Sequence, residues 1–198
     1  MNCVEMLISL GVSVLGSAIT MTIAYFWKFR RLFEKDKFSN QKSAEKGIIK
    51  DIEKSKTLRV YAMCGSTFSD KINSAIAQKT LGDSKLQQSY LISDENNPNI
   101  TERQKELPKG ADSLKTKVTN SRNNFESAKQ NNPKIEYRLH NKKVGFRLII
   151  LDNCLYLSQQ EKGKFGKQTE IQRIKYGTPA YINFSDYFND LWRKYASK

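Results

Sequence analysis

Histidine is nearly missing from this chain of 198 residues: His140 is the only one. A general base beside a nucleophile is therefore hard to assemble. Cys64 and Ser66, near an expected strand-to-helix turn, accordingly read as packing and turn residues rather than an activated nucleophile. Cysteine is scarce as well, and Cys3, Cys64 and Cys154 are too few and too scattered for a zinc site or a disulfide framework. Reduced thiols fit a cytosolic domain. The glycines form no phosphate loop of the P-loop or dinucleotide type. No metal and no cofactor is expected, and no internal repeat is found. Acidic residues are outnumbered, 20 against 34 basic ones, for a net charge of +14. That balance suits anionic lipid headgroups or nucleic acid, and equally a lysine-rich solvated surface.

Charge is absent altogether from residues 6–27, MLISLGVSVLGSAITMTIAYFW. At about 1.5 Å per residue a helix of this length covers a hydrocarbon core of roughly 30 Å, and only a helix satisfies its own backbone there. One transmembrane pass is the reading. Glu5 is the only charged side chain before it, whereas Lys28, Arg30, Arg31, Lys35 and Lys37 follow, so the positive-inside rule leaves residues 1–5 outside and the rest in the cytoplasm. Tyr25, Phe26 and Trp27 suit the headgroup layer. A cleaved signal peptide would carry its basic residues in front of a shorter apolar core. Ser9, Ser13, Gly16, Ser17, Thr20 and Ala24 recur at three- and four-residue spacings. This small-residue face either supports self-association into a homo-oligomer or is merely tolerated in a lone span.

Residues 28–46 read as a basic linker or a helical extension of the span, and residues 47–198 as one α/β domain with a mixed sheet. Ile48, Ile49 and Ile52 mark a short helix over 47–56. Strands are expected at 58–64 and 86–92, with a helix between them entered through Gly65, Ser66 and Thr67. The polar stretch 93–110 has room for a short helix, and Leu114, Val118, Phe125 and Ala128 stripe a longer one over 111–130. Strands follow at 135–139, 146–151, 155–158 and 170–176. Gly177 and Pro179 then open a last helix whose stripe of Phe184, Tyr187, Phe188, Leu191, Trp192 and Tyr195 reads as core.

The blocks IEYRLH, FRLIILDNCLYLS and EIQRIKYGTPAYINFSDYFNDLW resemble the second half of a phospholipase D-like domain, and the layout of the first half agrees over residues 47–196. The family's motif, as the resemblance implies it, is His, any residue, Lys, four residues, Asp, then a strand and a Gly-Ser pair. Aligned on Asp152, Gly145 stands at the His position and Arg147 at the Lys position. Leu157 and Ser158 replace Gly-Ser. The family's reaction needs two histidines facing one phosphodiester, and His140 lies outside the motif, so no enzymatic activity is expected. Arg147, with Arg138, Lys142 and Lys143, retains the charge to hold a phosphate; alternatively Arg147 pairs with Asp152 or lies on a solvated strand face.

Three classes of function remain: a non-enzymatic membrane effector or signalling component, a membrane-bound phosphodiesterase, and a tether for nucleic acid or nucleoprotein. A single anchor on a degenerate α/β domain resembles the membrane effectors of bacterial anti-phage systems, those of retrons included. That resemblance implies abortive infection at the inner membrane, with a nucleoprotein partner such as a reverse transcriptase carrying its RNA and DNA. The anchor is tested directly. The protein is expected to stay in the membrane fraction through carbonate washing, and a reporter fused after Lys198 to be active only as a cytosolic one; activity of a periplasmic reporter there reverses the topology.

Overall fold

The computed structural model describes residues 36–64, 68–81, 86–108 and 110–195. The apolar span 6–27 with its small-residue face, the external residues 1–5, and Gly65, Ser66 and Thr67 lie outside the described residues. Among the described residues, no helix is long and apolar enough to cross a membrane.

Seven strands form one mixed sheet. In chain order the elements are β1 (Asp36–Phe38), α1 (Gln41–Lys54), β2 (Thr57–Ala62), α2 (Asp70–Leu81), β3 (Gln87–Ser93), α3 (Asn99–Glu106), α4 (Leu114–Asn131), β4 (Ile135–His140), β5 (Phe146–Leu151), β6 (Cys154–Gln159), β7 (Ile171–Lys175) and α5 (Pro179–Lys194). The strand order is β1-β7-β6-β5-β2-β3-β4. β2, β3 and β4 are parallel and joined through helices, while β5, β6, β7 and β1 add an antiparallel run. Hence the carboxyl ends of β2 to β4 share one end of the sheet with the start of β5, the finish of β6 and the start of β7. Lys56, Asp152 and Lys175 mark the opposite, amino end.

The α/β class and the mixed sheet agree with the expectation from sequence, but the domain begins earlier. β1 and the first turns of α1 occupy the last part, from residue 36 on, of the segment expected to be a linker up to residue 46. The physical reason is a cap. Asn40 Oδ1 accepts from the Ser43 backbone N–H at 3.0 Å while Ser43 Oγ accepts from the Asn40 N–H at 3.2 Å, so the helix is nucleated seven residues ahead of Gly47.

Both faces of the sheet are covered. On one, Ile48 and Ile52 of α1 and Ile72 and Ile76 of α2 pack with Val60, Ala62, Ile149, Leu151 and Tyr156. On the other, Tyr181, Phe188 and Leu191 of α5 pack with Tyr61, Leu148, Ile150 and Leu155. Helix α5 starts as its sequence prescribes, with Thr178 as cap and Pro179 in the first turn, where a missing N–H costs nothing. Residue 47 is glycine for want of room: a Cβ there would lie 3.3 Å from the Tyr156 hydroxyl.

A carboxylate joins α1 to the sheet. Asp51 accepts from Arg173 Nε at 2.7 Å, Arg173 Nη2 at 3.2 Å, the Tyr156 hydroxyl at 2.6 Å and the Cys154 thiol at 3.1 Å. Burial alone would raise its pKa, yet the hydrogen bonds from Arg173, Tyr156 and Cys154 outweigh it and hold the carboxyl at about 2. Because that value lies below the ordinary carboxylate range, the stabilisation is complete above roughly pH 4 and is lost as the pH falls toward 2. Asp51→Ala is expected to lower the free energy of unfolding by about 3 kcal/mol, since it strands Arg173 without its main partner. Denaturant titration across this pH window checks both the loss and the flattening of the acid limb.

Candidate functional site

Of the residues aligned with the phospholipase D motif, Gly145, Arg147 and Ser158 come together at the carboxyl end of the parallel strands, Arg147 on the face covered by α1. Gly145 is exposed just before β5, and a Cβ added to it would meet no atom within 4 Å. Two residues on, Arg147 turns inward. It is 8% exposed, and its Nη1 donates to Gln41 Oε1 of α1 at 2.9 Å. Burial lowers the guanidinium pKa to about 10, which leaves it charged at neutral pH. Ser158 is its cross-strand neighbour on β6, with its hydroxyl 2.6 Å from that of Thr169. Leu157 faces the other way, into the core beneath α5.

Asp152 plays no part at this end. It follows β5 at the amino end, where it accepts from the Lys56 backbone N–H at 2.6 Å and from the Thr57 hydroxyl. Five residues of strand, about 17 Å, separate it from Arg147. Neither alternative for Arg147 therefore holds: it is not paired with Asp152, and it does not lie on a solvated strand face.

His140 is on the opposite face. Strands β2 and β3 lie between β4 and β5, a lateral separation of about 14 Å at the usual strand spacing. The imidazole is 1% exposed, 5.1 Å from the Tyr61 ring and 6.1 Å from the Tyr195 ring, and its Nδ1 accepts from the Lys142 N–H at 3.2 Å. That bond places the proton on Nε2. Burial lowers the pKa to about 4, against the smaller opposing pull of the Ala62 and Lys142 backbone groups. A neutral histidine locked among aromatic rings is a core residue by position.

The other basic candidates part company. Arg138 lies with its guanidinium 4.1 Å over the Trp192 ring and donates to the Trp192 carbonyl, so it holds the end of α5. Lys142 and Lys143 remain exposed on the turn between β4 and β5; Lys143 Nζ is 3.6 Å from Glu102, an ion pair open to solvent. Beside this turn lies an open cavity of about 440 Å³, bordered by Asp94, Asn96, Asn97, His140, Asn141 and Tyr195. Asn97 ties the turn down by donating to the Lys142 carbonyl at 3.0 Å. Sequence reasoning passed over these polar residues; the available signal was a run of Asp and Asn directly after a strand, at the end of a parallel sheet where ligands bind. Among the described residues no cluster of His, Cys, Asp or Glu could hold a metal ion.

No family model matches the chain, and no curated protein matches it. Among solved structures, NucT from Helicobacter pylori is 12% identical with a TM-score of 0.51, over 81% of this chain and 96% of that one. The two chains share a fold. Nuc from Salmonella typhimurium, a phospholipase D family member, is 15% identical with a TM-score of 0.47, over 81% and 95% of the two chains. TrmBL2, an archaeal chromatin protein whose structure shows a novel mode of DNA binding, is 13% identical with a TM-score of 0.48; 96% of this chain spans 66% of that one. Likeness at such identities describes architecture and says nothing of chemistry.

The buried histidine makes a measurable difference to the stability of the domain. Its folded pKa lies below the ordinary value near 6.5, so protonation favours the unfolded chain: stability is full above pH 6.5 and falls as the pH drops toward 4. Between pH 7 and pH 5 the loss is about 2 kcal/mol. His140→Gln is expected to remove this dependence, read as unfolding free energy at the two pH values.

Proposed function

We propose that this protein is a membrane-anchored, non-catalytic effector whose phospholipase D-like domain docks a nucleic-acid-containing or otherwise anionic partner. One observation carries the reading. At the place where this fold would assemble a phosphodiesterase, glycine stands at the histidine position and the neighbouring cation is buried against Gln41. Attack on phosphorus needs a nucleophile and a proton donor within reach of one phosphate, and His140 is on the other face of the sheet. The exposed lysines of the β4 to β5 turn supply charge without that chemistry.

In this reading residues 6–27 span the inner membrane once, residues 1–5 are outside, and the domain is cytoplasmic. The span either associates through Ser9, Ser13, Gly16, Ser17, Thr20 and Ala24 or serves only as an anchor. The biological setting is an anti-phage, abortive-infection system of the retron type, with a reverse transcriptase and its RNA and DNA as the docked nucleoprotein; this rests on architecture alone. The alternative is a membrane-bound phosphodiesterase. Its support is the fold shared with NucT and the unfilled space beside Gly145.

The purified full-length protein is expected to bind single-stranded nucleic acid with an affinity that falls steeply as salt rises. Lys142→Glu with Lys143→Glu should reduce the slope of log affinity against log salt by about 1 per lysine. Binding that is absent at low salt, or a slope that does not change, leaves these lysines as solvated surface. Hydrolysis of phospholipid, DNA or RNA is expected to be absent; cleavage that vanishes in His140→Ala would establish the enzyme instead.

A further inference from the structure

Three large apolar side chains stand out as exposed among the described residues: Leu81 at 87%, Tyr176 at 67% and Ile182 at 49%. Isolated apolar residues on a surface are ordinary. Their placement is not. Leu81 ends α2 just ahead of β3, Tyr176 follows β7, and Ile182 lies in the first turn of α5, so all three are at the amino end of the parallel strands. Two contacts fix this end. The Tyr176 N–H donates to the Asn153 carbonyl in the β5 to β6 turn, and the Tyr181 hydroxyl donates to the carbonyl of Leu151, the last residue of β5. Leu81 belongs to the α2 face and Ile182 to the α5 face, so they flank the end of the sheet from both sides.

The same end is where the chain enters the domain. β1 runs antiparallel to β7, with Asp36 opposite Arg173 and Phe38 opposite Ile171, so the polypeptide arrives from the amino end and moves toward the carboxyl end. Between Trp27 and Asp36 lie residues 28–35, which extend to about 27 Å at most. A six-residue strand is about 20 Å long. To bring the carboxyl end to a bilayer, those residues would have to double back along the flank of the sheet and still clear its loops. Approach by the amino end uses none of that length.

Charge at this end suits a lipid surface. Lys54 and Lys56 are exposed at the close of α1 and the entry to β2, Lys134 is half-buried ahead of β4, and Lys175 ends β7. Two acidic residues share this end: Glu53, exposed beside Lys54, and Asp152, which is engaged by the Lys56 N–H and Thr57.

We infer that the amino end of the sheet is a membrane-docking face, with Tyr176, Ile182 and Leu81 entering the headgroup layer of an anionic leaflet and Lys54, Lys56 and Lys134 resting on its phosphates. The aromatic and aliphatic side chains suit the interface, and the lysines reach it along their alkyl stems. The consequence for the proposed function, on whose anchor this inference rests, is orientation. The Lys142 turn and the cavity beside it project away from the bilayer, toward a cytoplasmic partner.

The test places a photo-crosslinking phenylalanine analogue at position 176, 182 or 142 of the full chain. Each form is reconstituted in vesicles of phosphatidylcholine with phosphatidylglycerol and in phosphatidylcholine alone. Lipid adducts are expected at 176 and 182, several-fold above 142, and more abundantly with phosphatidylglycerol. Lys54→Glu with Lys56→Glu should lower the adduct yield roughly five-fold per lysine; its circular dichroism, matched to the unaltered protein, separates loss of docking from loss of fold. Equal or greater labelling from 142, or insensitivity to both anionic lipid and charge reversal, overturns the docking face, and a protein dimer adduct at 176 overturns it in favour of a second copy of the chain. Carbonate extraction reads the anchor separately. A chain that resists carbonate yet labels from 142 keeps the anchor and loses the docking face. If carbonate removes the chain, the anchor falls, while lipid adducts at 176 that still depend on phosphatidylglycerol uphold the face and their absence overturns it.

Discussion

Asp51 and Arg173 bind a helix to a sheet through charge, and the geometry of the motif region follows from that constraint. Arg173 lies on β7 between two carboxylates, Asp51 of α1 and Asp36 of β1, whose Oδ2 is 3.4 Å from Arg173 Nη1. Tyr156 and Cys154 of β6 add their hydrogen bonds to Asp51. Two strands and a helix thus converge on one buried carboxylate, with β1 joined to it through Arg173; the burial is tolerable because the carboxylate's lone pairs are fully used. With the carboxyl-terminal half of α1 seated there, the helix runs along the sheet to bring Gln41 against Arg147 at the other end.

That last contact changes what Arg147 is. An exposed arginine on this edge would be a ready phosphate ligand; one that is buried and bonded to a neutral amide has become part of how α1 sits on the sheet. The glycine at 145 is different, because nothing occupies the volume a larger side chain would take. The space beside Gly145 is therefore open, whereas that around Arg147 is filled. Basic groups that remain exposed are on the neighbouring turn, a few residues earlier in the chain, and their surroundings are the amides and the carboxylate that border the cavity.

Much of the fold was legible because its signals are local. The run FRLIIL is β5 from first residue to last, and Gly177 with Pro179 dates the start of α5 to within a residue or two. The start of the domain was not legible. DKF carries no strand pattern of its own, and its pairing depends on Arg173, far along the chain. Likewise α1 has its isoleucines only from residue 48 on, while its beginning is set by the Asn40 and Ser43 cap ahead of any apolar stripe. At the candidate site, Gly145 and Arg147 were found by their spacing to Asp152, although that aspartate turns out to brace the far end of β5. The four basic residues looked like one cluster in sequence. Alternation along β4 points Arg138 to α5, and the sheet order puts two strands between β5 and β4, so proximity along the chain did not become proximity in space.

The three residues of β1 also determine how the domain would respond to a pull. A strand drawn along its own axis loads all its ladder hydrogen bonds together in shear, whereas one peeled from its end gives them up singly. Tension applied to Asp36 along the axis of β1 would meet the shear arrangement, with the Asp36 to Arg173 ion pair in parallel with the ladder. Beyond β1, the next grip is the Asp51 pairing inside α1. Such an axial load reaches the β6 and β7 half of the sheet first, with β3, β4 and the Lys142 turn at the other side.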